Sequence, residues 1–219
     1  MVSGVDEQPT RYRRVVDGLV LPAPIAAHPA LDFCNTLAGW DEDGAYDYLA
    51  TYAHLSVWVR ETGLLDAGST AEALDRAADD PRGAVRQLDR ARTMRRALYA
   101  ACTDPTDDAA WEAVAVEGRA AASQAVLSRA DAPGRRWSIA PDAGLERPVL
   151  ELAREAADLL ARTDLRRVKA CPGSHCGWLF LDPSGRRRWC SMEVCGNRAK
   201  ARRHAERRRT SGGSERRGG

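Results

Sequence analysis

Two matched pairs of cysteines constrain this chain more than any other feature. Cys171 and Cys176 are separated by four residues, Cys190 and Cys195 repeat that spacing, and thirteen residues lie between the pairs. Two short chelating turns brought together place four thiolates at tetrahedral corners, the arrangement that zinc takes. Four thiolates also close the coordination sphere, so the zinc expected here is structural, one per chain. Two disulfides are the competing use of the same cysteines. Residues 1–20 are polar and arginine-rich, without the apolar core of an export signal. A reducing, cytoplasmic setting is therefore expected, where paired cysteines more often hold metal than each other. His175 lies inside the first turn as an alternative ligand, but the four cysteines already complete a site.

The residues between the ligands read as a small hairpin. Trp178-Leu179-Phe180-Leu181 has strand composition, Asp182-Pro183-Ser184-Gly185 is a turn, and Arg186-Arg187-Arg188-Trp189 is the expected return strand. Ser191 is placed to cap a helix running to about Arg208, with Cys195 in its first turn. A knuckle, a hairpin and a helix on one zinc make a treble-clef-like finger.

Charge divides the chain at the same place. Residues 165–219 carry 15 Lys+Arg against 4 Asp+Glu, and residues 1–164 carry 18 against 27. The net charge of +2 thus hides an acidic body with a basic module. A basic surface of this density favours polyanions, because each neutralised phosphate releases counterions. Docking on the acidic body is the rival use of the same charge. No apolar run approaches the roughly 18 residues of a membrane span, so no membrane partner is expected.

The body reads as mainly helical with a few short strands. Val15-Val16 and Leu19-Val20-Leu21 flank Asp17-Gly18 as a hairpin, after a polar and frayed 1–14. A short helix is predicted over 29–38, with Leu31, Cys34 and Leu37 inward and Asp32, Asn35 and Thr36 together on the other side. Those three polar groups are candidates for binding a small ligand, or for tying neighbouring backbone. Asp41-Glu42-Asp43-Gly44 is a turn and a helix follows over about 46–62. Ser69-Thr70-Ala71-Glu72 has the form of a capping box. From Asp80-Pro81, Ala84, Leu88, Ala91, Met94, Leu98 and Cys102 mark a long amphipathic helix whose arginines read as its solvated face. An alanine-rich helix is expected at about 107–129 and a strand at 136–139. A last body helix opens at Pro148. It ends close to Arg167-Val168-Lys169, so the finger is expected to dock on the body. The organisation is thus a helical domain at 1–164, a finger at 165–209 and a disordered tail at 210–219.

Specific motifs carry a family resemblance. Trp189-Cys190-Ser191-Met192 and Cys195-Gly196-Asn197-Arg198-Ala199-Lys200, with the upstream cysteine pair and Phe180-Leu181-Asp182, resemble the CGNR zinc finger. Leu31-Asp32-Phe33-Cys34-Asn35-Thr36 resembles the Leu-Asp-Phe-x-Asn-Thr motif of the ABATE domain that precedes that finger. The resemblance implies a stress-induced transcription regulator with a DNA-binding zinc finger.

The residues then suggest how such a module works. Arg186, Arg187 and Arg188 on the hairpin, and Arg198, Lys200, Arg202, Arg203 and Arg207 on the helix, are the candidate nucleic-acid contacts. Most would meet phosphates, and Arg198, early in the helix, is the first choice for reading a base edge. Trp178 and Trp189 are expected in a mini-core over the metal. DNA is the expected partner. RNA is the second nucleic acid that such a surface accepts, and an interaction module, or a small-molecule-binding or enzymatic body, with the finger as a clasp is the third reading. A homodimer is compatible with the first, since lone fingers read short sites poorly. No enzymatic constellation stands out, and no enzyme is expected.

Overall fold

A computed structural model describes residues 12–40, 45–128 and 136–214. The turn expected at 41–44 and the end of the expected tail, 215–219, lie outside the described residues. Strands β1 (Arg13–Val16) and β2 (Leu19–Pro22) form the expected hairpin, with Val15 opposite Val20. Asp17 and Gly18 both take positive φ, 50° and 76°, as a two-residue turn between twisted strands requires.

Helix α1 (Pro29–Cys34) is one and a half turns, opened by Pro29 and capped by the His28 side chain. It is shorter than predicted. The chain leaves it before Leu37 and pairs β3 (Leu37–Ala38) with β4 (Tyr46–Asp47). That pairing also corrects the helix expected from residue 46. The Tyr48 amide goes to the Thr36 carbonyl at 2.9 Å. Helix α2 (Tyr52–Glu61) starts only after Thr51, whose side chain caps it.

Helix α3 (Ala67–Asp79) starts a turn before the expected capping box. Asp66 is the cap, taking the Ser69 amide at 2.7 Å and the Ser69 hydroxyl at 2.7 Å, so Ser69 becomes a helix residue. Helix α4 (Pro81–Thr103), capped by Asp80, buries the predicted stripe. Helix α5 (Asp108–Ser123) ends earlier than expected. Ala125 to Ser128 is a strand, β5, because it pairs along its length with β6 (Arg136–Ile139). Helix α6 (Arg147–Arg162) buries Leu152, Ala153, Ala156 and Leu159 completely. Helices α1, α2, α4, α5 and α6 enclose one apolar core around Trp58, Phe33 and Leu98. Small buried residues such as Ala121, Ala153 and Ala156 let the axes approach. Among the described residues no helix is long and apolar enough to cross a membrane.

The finger follows without a linker. Strand β7 (Val168–Ala170) pairs antiparallel with β8 (Leu179–Leu181), and the first cysteine pair lies in the turn that joins them. The partner of β8 is therefore β7, and 186–189 is not a strand. Asp182 pulls that segment aside. Its Oδ2 takes the Arg187 amide at 3.1 Å and Lys169 Nζ at 2.6 Å, and its Oδ1 takes the Ser184 hydroxyl at 3.1 Å. Lys169 holds the Asp182 carboxyl down at about 2. Met192–Gly196 is a wide π turn, and helix α7 runs from Asn197 to Ser214, past the predicted end and into the stretch expected to be disordered. Once nucleated, each further residue adds a hydrogen bond, and the arginines and glutamate of this run are good helix formers.

Candidate functional site

The metal centre is built from two turns of different kinds. Cys171 and Cys176 flank a knuckle at the end of the β7–β8 hairpin, closed by the Cys171 amide on the Trp178 carbonyl at 2.8 Å. Cys190 precedes the π turn and Cys195 lies within it, and the Gly196 amide reaches back to the Ser191 carbonyl at 3.1 Å. The wider winding brings two cysteines five apart to one point. Ser191 opens it in an extended conformation but makes no side-chain cap. At Gly196 the absence of a Cβ lets the Met192 side chain lie over the turn, since a Cβ there would come 2.5 Å from its sulfur.

The four Sγ atoms lie within 4.8 Å of one another and all four residues are buried. Cys176 and Cys190 sulfurs are 3.5 Å apart, and those of Cys190 and Cys195 3.6 Å. A disulfide needs about 2 Å, and four thiolates about 2.3 Å from a tetrahedral zinc stand about 3.8 Å apart. Gly173 leaves the room between the turns: a Cβ there would meet Cys195 Sγ at 3.0 Å. The donor set and spacing fit one structural zinc per chain, held by Cys171, Cys176, Cys190 and Cys195. His175 is exposed and outside the cluster.

Among the described residues, two further side chains reach the sulfurs. Arg198, half-buried, donates from its guanidinium to Cys195 Sγ at 3.1 Å. The residue first chosen to read a base is thus bonded within the metal centre. Tyr12, in the stretch expected to fray, is 4% exposed and donates its hydroxyl to Cys190 Sγ at 3.1 Å and Cys195 Sγ at 3.5 Å. Burial and then the sulfur neighbours push its pKa well up, so the hydroxyl keeps its proton. No spacing signal marks Tyr12 in the sequence. Trp178 is buried in the core around the cysteines, which Tyr12, Ala38 and Tyr48 share, and Trp189 packs at its edge.

Asp32, Asn35 and Thr36 do not form an open polar face. All three are buried, and each is committed to backbone or to Arg95. The reason is that α1 ends at Cys34, so Asn35 and Thr36 leave the helix. Strand β8 bonds to β7 on one edge, and on its other edge the Asn35 amide takes the place of a strand. Asn35 Nδ2 donates to the Leu179 carbonyl at 2.9 Å, and the Leu179 amide donates to Asn35 Oδ1 at 2.7 Å. Asp32 accepts from the Ile25 and Ala26 amides at 2.8 and 2.9 Å. The loop so held offers the Ala26 carbonyl to the Leu181 amide at 3.0 Å and the Ile25 carbonyl to Arg187 at 2.7 Å. Thr36 accepts from Arg95 at 2.8 Å, and Arg95 grips both Asp47 oxygens at 2.8 and 2.6 Å. Arg95 is fully buried, a correction to its reading as solvated. The signal was present: it stands four residues after Ala91 and three before Leu98, on the apolar stripe itself.

Other body groups complete the socket. Trp178 donates to the Leu37 carbonyl at 2.9 Å. Tyr99, stacked on Trp40 at 3.7 Å, donates to the Gly177 carbonyl at 2.8 Å. The 31–36 motif is therefore the seat of the finger.

The candidate nucleic-acid contacts separate into two sets. Arg187 lies over the Phe180 ring at 4.5 Å and donates to the Ile25, Trp189 and Cys190 carbonyls, so with Arg198 it belongs to the architecture. Arg186 and Arg188 are exposed beside a cleft of about 750 Å³ that runs from Ile25 to Met192 and Glu193. From Lys200 to Arg208 every residue of α7 is exposed, including Arg202, Arg203 and Arg207. Ala199 is buried and Arg202 bonds Ser174 at 2.5 Å, which fixes the side that α7 turns to the finger. At 100° per residue Lys200, Arg203, His204 and Arg207 share one flank of the helix, within an arc of about 100° centred about 90° from Ala199.

Two family models match the chain. The ABATE model, described as "putative stress-induced transcription regulator", covers residues 27–163, and the CGNR zinc finger model covers residues 167–208. No curated protein matches.

Proposed function

The chain belongs to the ABATE family, and on that premise we propose that it is a zinc-dependent, DNA-binding transcription regulator whose reading element is α7. The observation that supports this most is the state of that helix. It carries lysine or arginine at 198, 200, 202, 203, 207, 208 and 209 against a single acid, Glu206, and is exposed throughout 200–208. A helix polar on all sides gains little from packing on its own protein. Here its first turn is fixed by the metal centre, so the remainder projects as a rigid basic rod of a width that a major groove admits.

In this reading Lys200, Arg203 and Arg207 lie along the groove and meet the phosphates that border it, and Arg186 and Arg188 meet those of the flanking backbone. Arg187 and Arg198 act indirectly, by holding the arm and the helix start. The body holds the finger at a fixed orientation through the 31–36 seat.

The test is the salt dependence of duplex binding by the zinc-loaded full chain. Each phosphate contact adds about 0.9 to the slope of log K against log salt. Replacing Lys200, Arg203 and Arg207 together by Ala is expected to reduce the slope by about 2–3 units. An unchanged slope, with the fold and metal retained, would remove α7 from the interface.

A further inference from the structure

The zinc site is not made by the finger alone. Tyr12 comes from the other end of the chain, 178 residues from Cys190 and 183 from Cys195. Its ring packs against Trp178 at 4.7 Å, and its carbonyl takes the Ala23 amide at 2.8 Å. It begins the β1–β2 hairpin, which is held elsewhere by the body: Leu21 is fully buried in the main core, Arg14 pairs with Glu61 at 2.9 Å and Arg60 with Asp17 at 2.8 Å. The hairpin thus bridges α2 and the metal ligands.

Four thiolates on a divalent ion leave a net charge of −2, buried among apolar groups. Such a centre is retained only when hydrogen-bond donors offset that charge, and the partners around first ligands tune metal affinity strongly. Arg198 supplies one donor from the finger's own helix. The second is supplied by the body.

We propose that Tyr12 is a positioning residue of the zinc centre, and that its hydroxyl makes retention of the metal by the finger depend on the N-terminal hairpin of the body. Its O–H donates to the two sulfurs of the second cysteine pair and so lowers their electron density. Its ring covers the same side of the site. Displacing the hairpin weakens the hold on zinc, and loss of zinc releases the Tyr12 end of the hairpin. None of this depends on what α7 binds.

The test uses full-length Tyr12→Phe and Tyr12→Ala. Phenylalanine keeps the ring on Trp178 and removes only the donor. Zinc release to excess chromogenic chelator is expected to quicken by about 10-fold or more in Tyr12→Phe, within the 10–100-fold range of such partners. With cobalt in place of zinc, the thiolate-to-metal band is expected to move to lower energy in the same variant. Hydrogen exchange after chelation of the wild type is expected to rise at the amides of 13–22 while α4 stays protected. A purely packing role would quicken release in Tyr12→Ala alone and leave the cobalt band of Tyr12→Phe unmoved. That result would overturn the proposal, as would a hairpin that keeps its protection without zinc.

Discussion

Asn35 stands in for a strand. One side-chain amide offers the donor and the acceptor that the free edge of β8 requires at Leu179, whose own backbone groups are fully buried. Removing it strands two buried polar groups at about 1–3 kcal/mol each. Asn35→Ala is therefore expected to lower the unfolding free energy by about 2–6 kcal/mol on that accounting. Asn35→Asp, nearly the same shape, is expected to be about as damaging, since it keeps the acceptor but faces the Leu179 carbonyl with a second oxygen. Urea unfolding of the three proteins checks this; an Asp variant as stable as the wild type would contradict the edge-strand role. Thr36 and Asp32 act at the same scale. Each uses a short polar side chain to fix backbone or, together with Asp47, the buried Arg95.

At the scale of elements, α1 is the piece on which the seat rests, and its start is pH-sensitive. His28 Nδ1 takes the Ala30 amide at 3.2 Å as the helix cap, which requires a neutral ring. Burial lowers its pKa, against the opposing pull of Glu155 and Asp158. The unfolded chain takes up a proton near pH 6.5 that the folded chain resists. The contribution of this cap is therefore complete above that pH and is lost as pH falls below it. Between pH 7.5 and 5.5 the thermal midpoint of the wild type is expected to fall further than that of His28→Asn, which keeps a cap acceptor without titrating. Equal falls would contradict the assignment.

The elements also show what the sequence made legible. Helices α4 and α6 were readable because their stripes repeat over many turns, and the metal centre because thiolate spacing is local. The 186–189 segment was misread because Asp182, not strand propensity, decides its path. The start of α2 was misread because Tyr48 and Asp47 answer to Thr36 and Arg95, far away in sequence. For Asp32, Asn35 and Thr36 the sequence offers a ligand-binding face or ties to neighbouring backbone, and the ties are what the structure forms. Asn35 bonds the finger backbone at Leu179, Asp32 the 25–26 loop and Thr36 the Phe33 carbonyl and Arg95, partners that no periodicity reveals.

For the whole molecule, these residues make body and finger one unit. The family motif, the N-terminal hairpin and α4 all end on the finger, and α7 continues from the finger with residues 200–208 exposed. In the proposed function, this gives the basic helix one orientation on its target and lets any change in the body reach it. The most direct measurement is selection from a random duplex DNA library by the zinc-loaded protein near physiological salt, with RNA as competitor. An enriched motif is expected, lost on chelation and on replacing Lys200, Arg203 and Arg207, and unaffected by RNA. Unselective retention that RNA displaces, or none, would contradict the account.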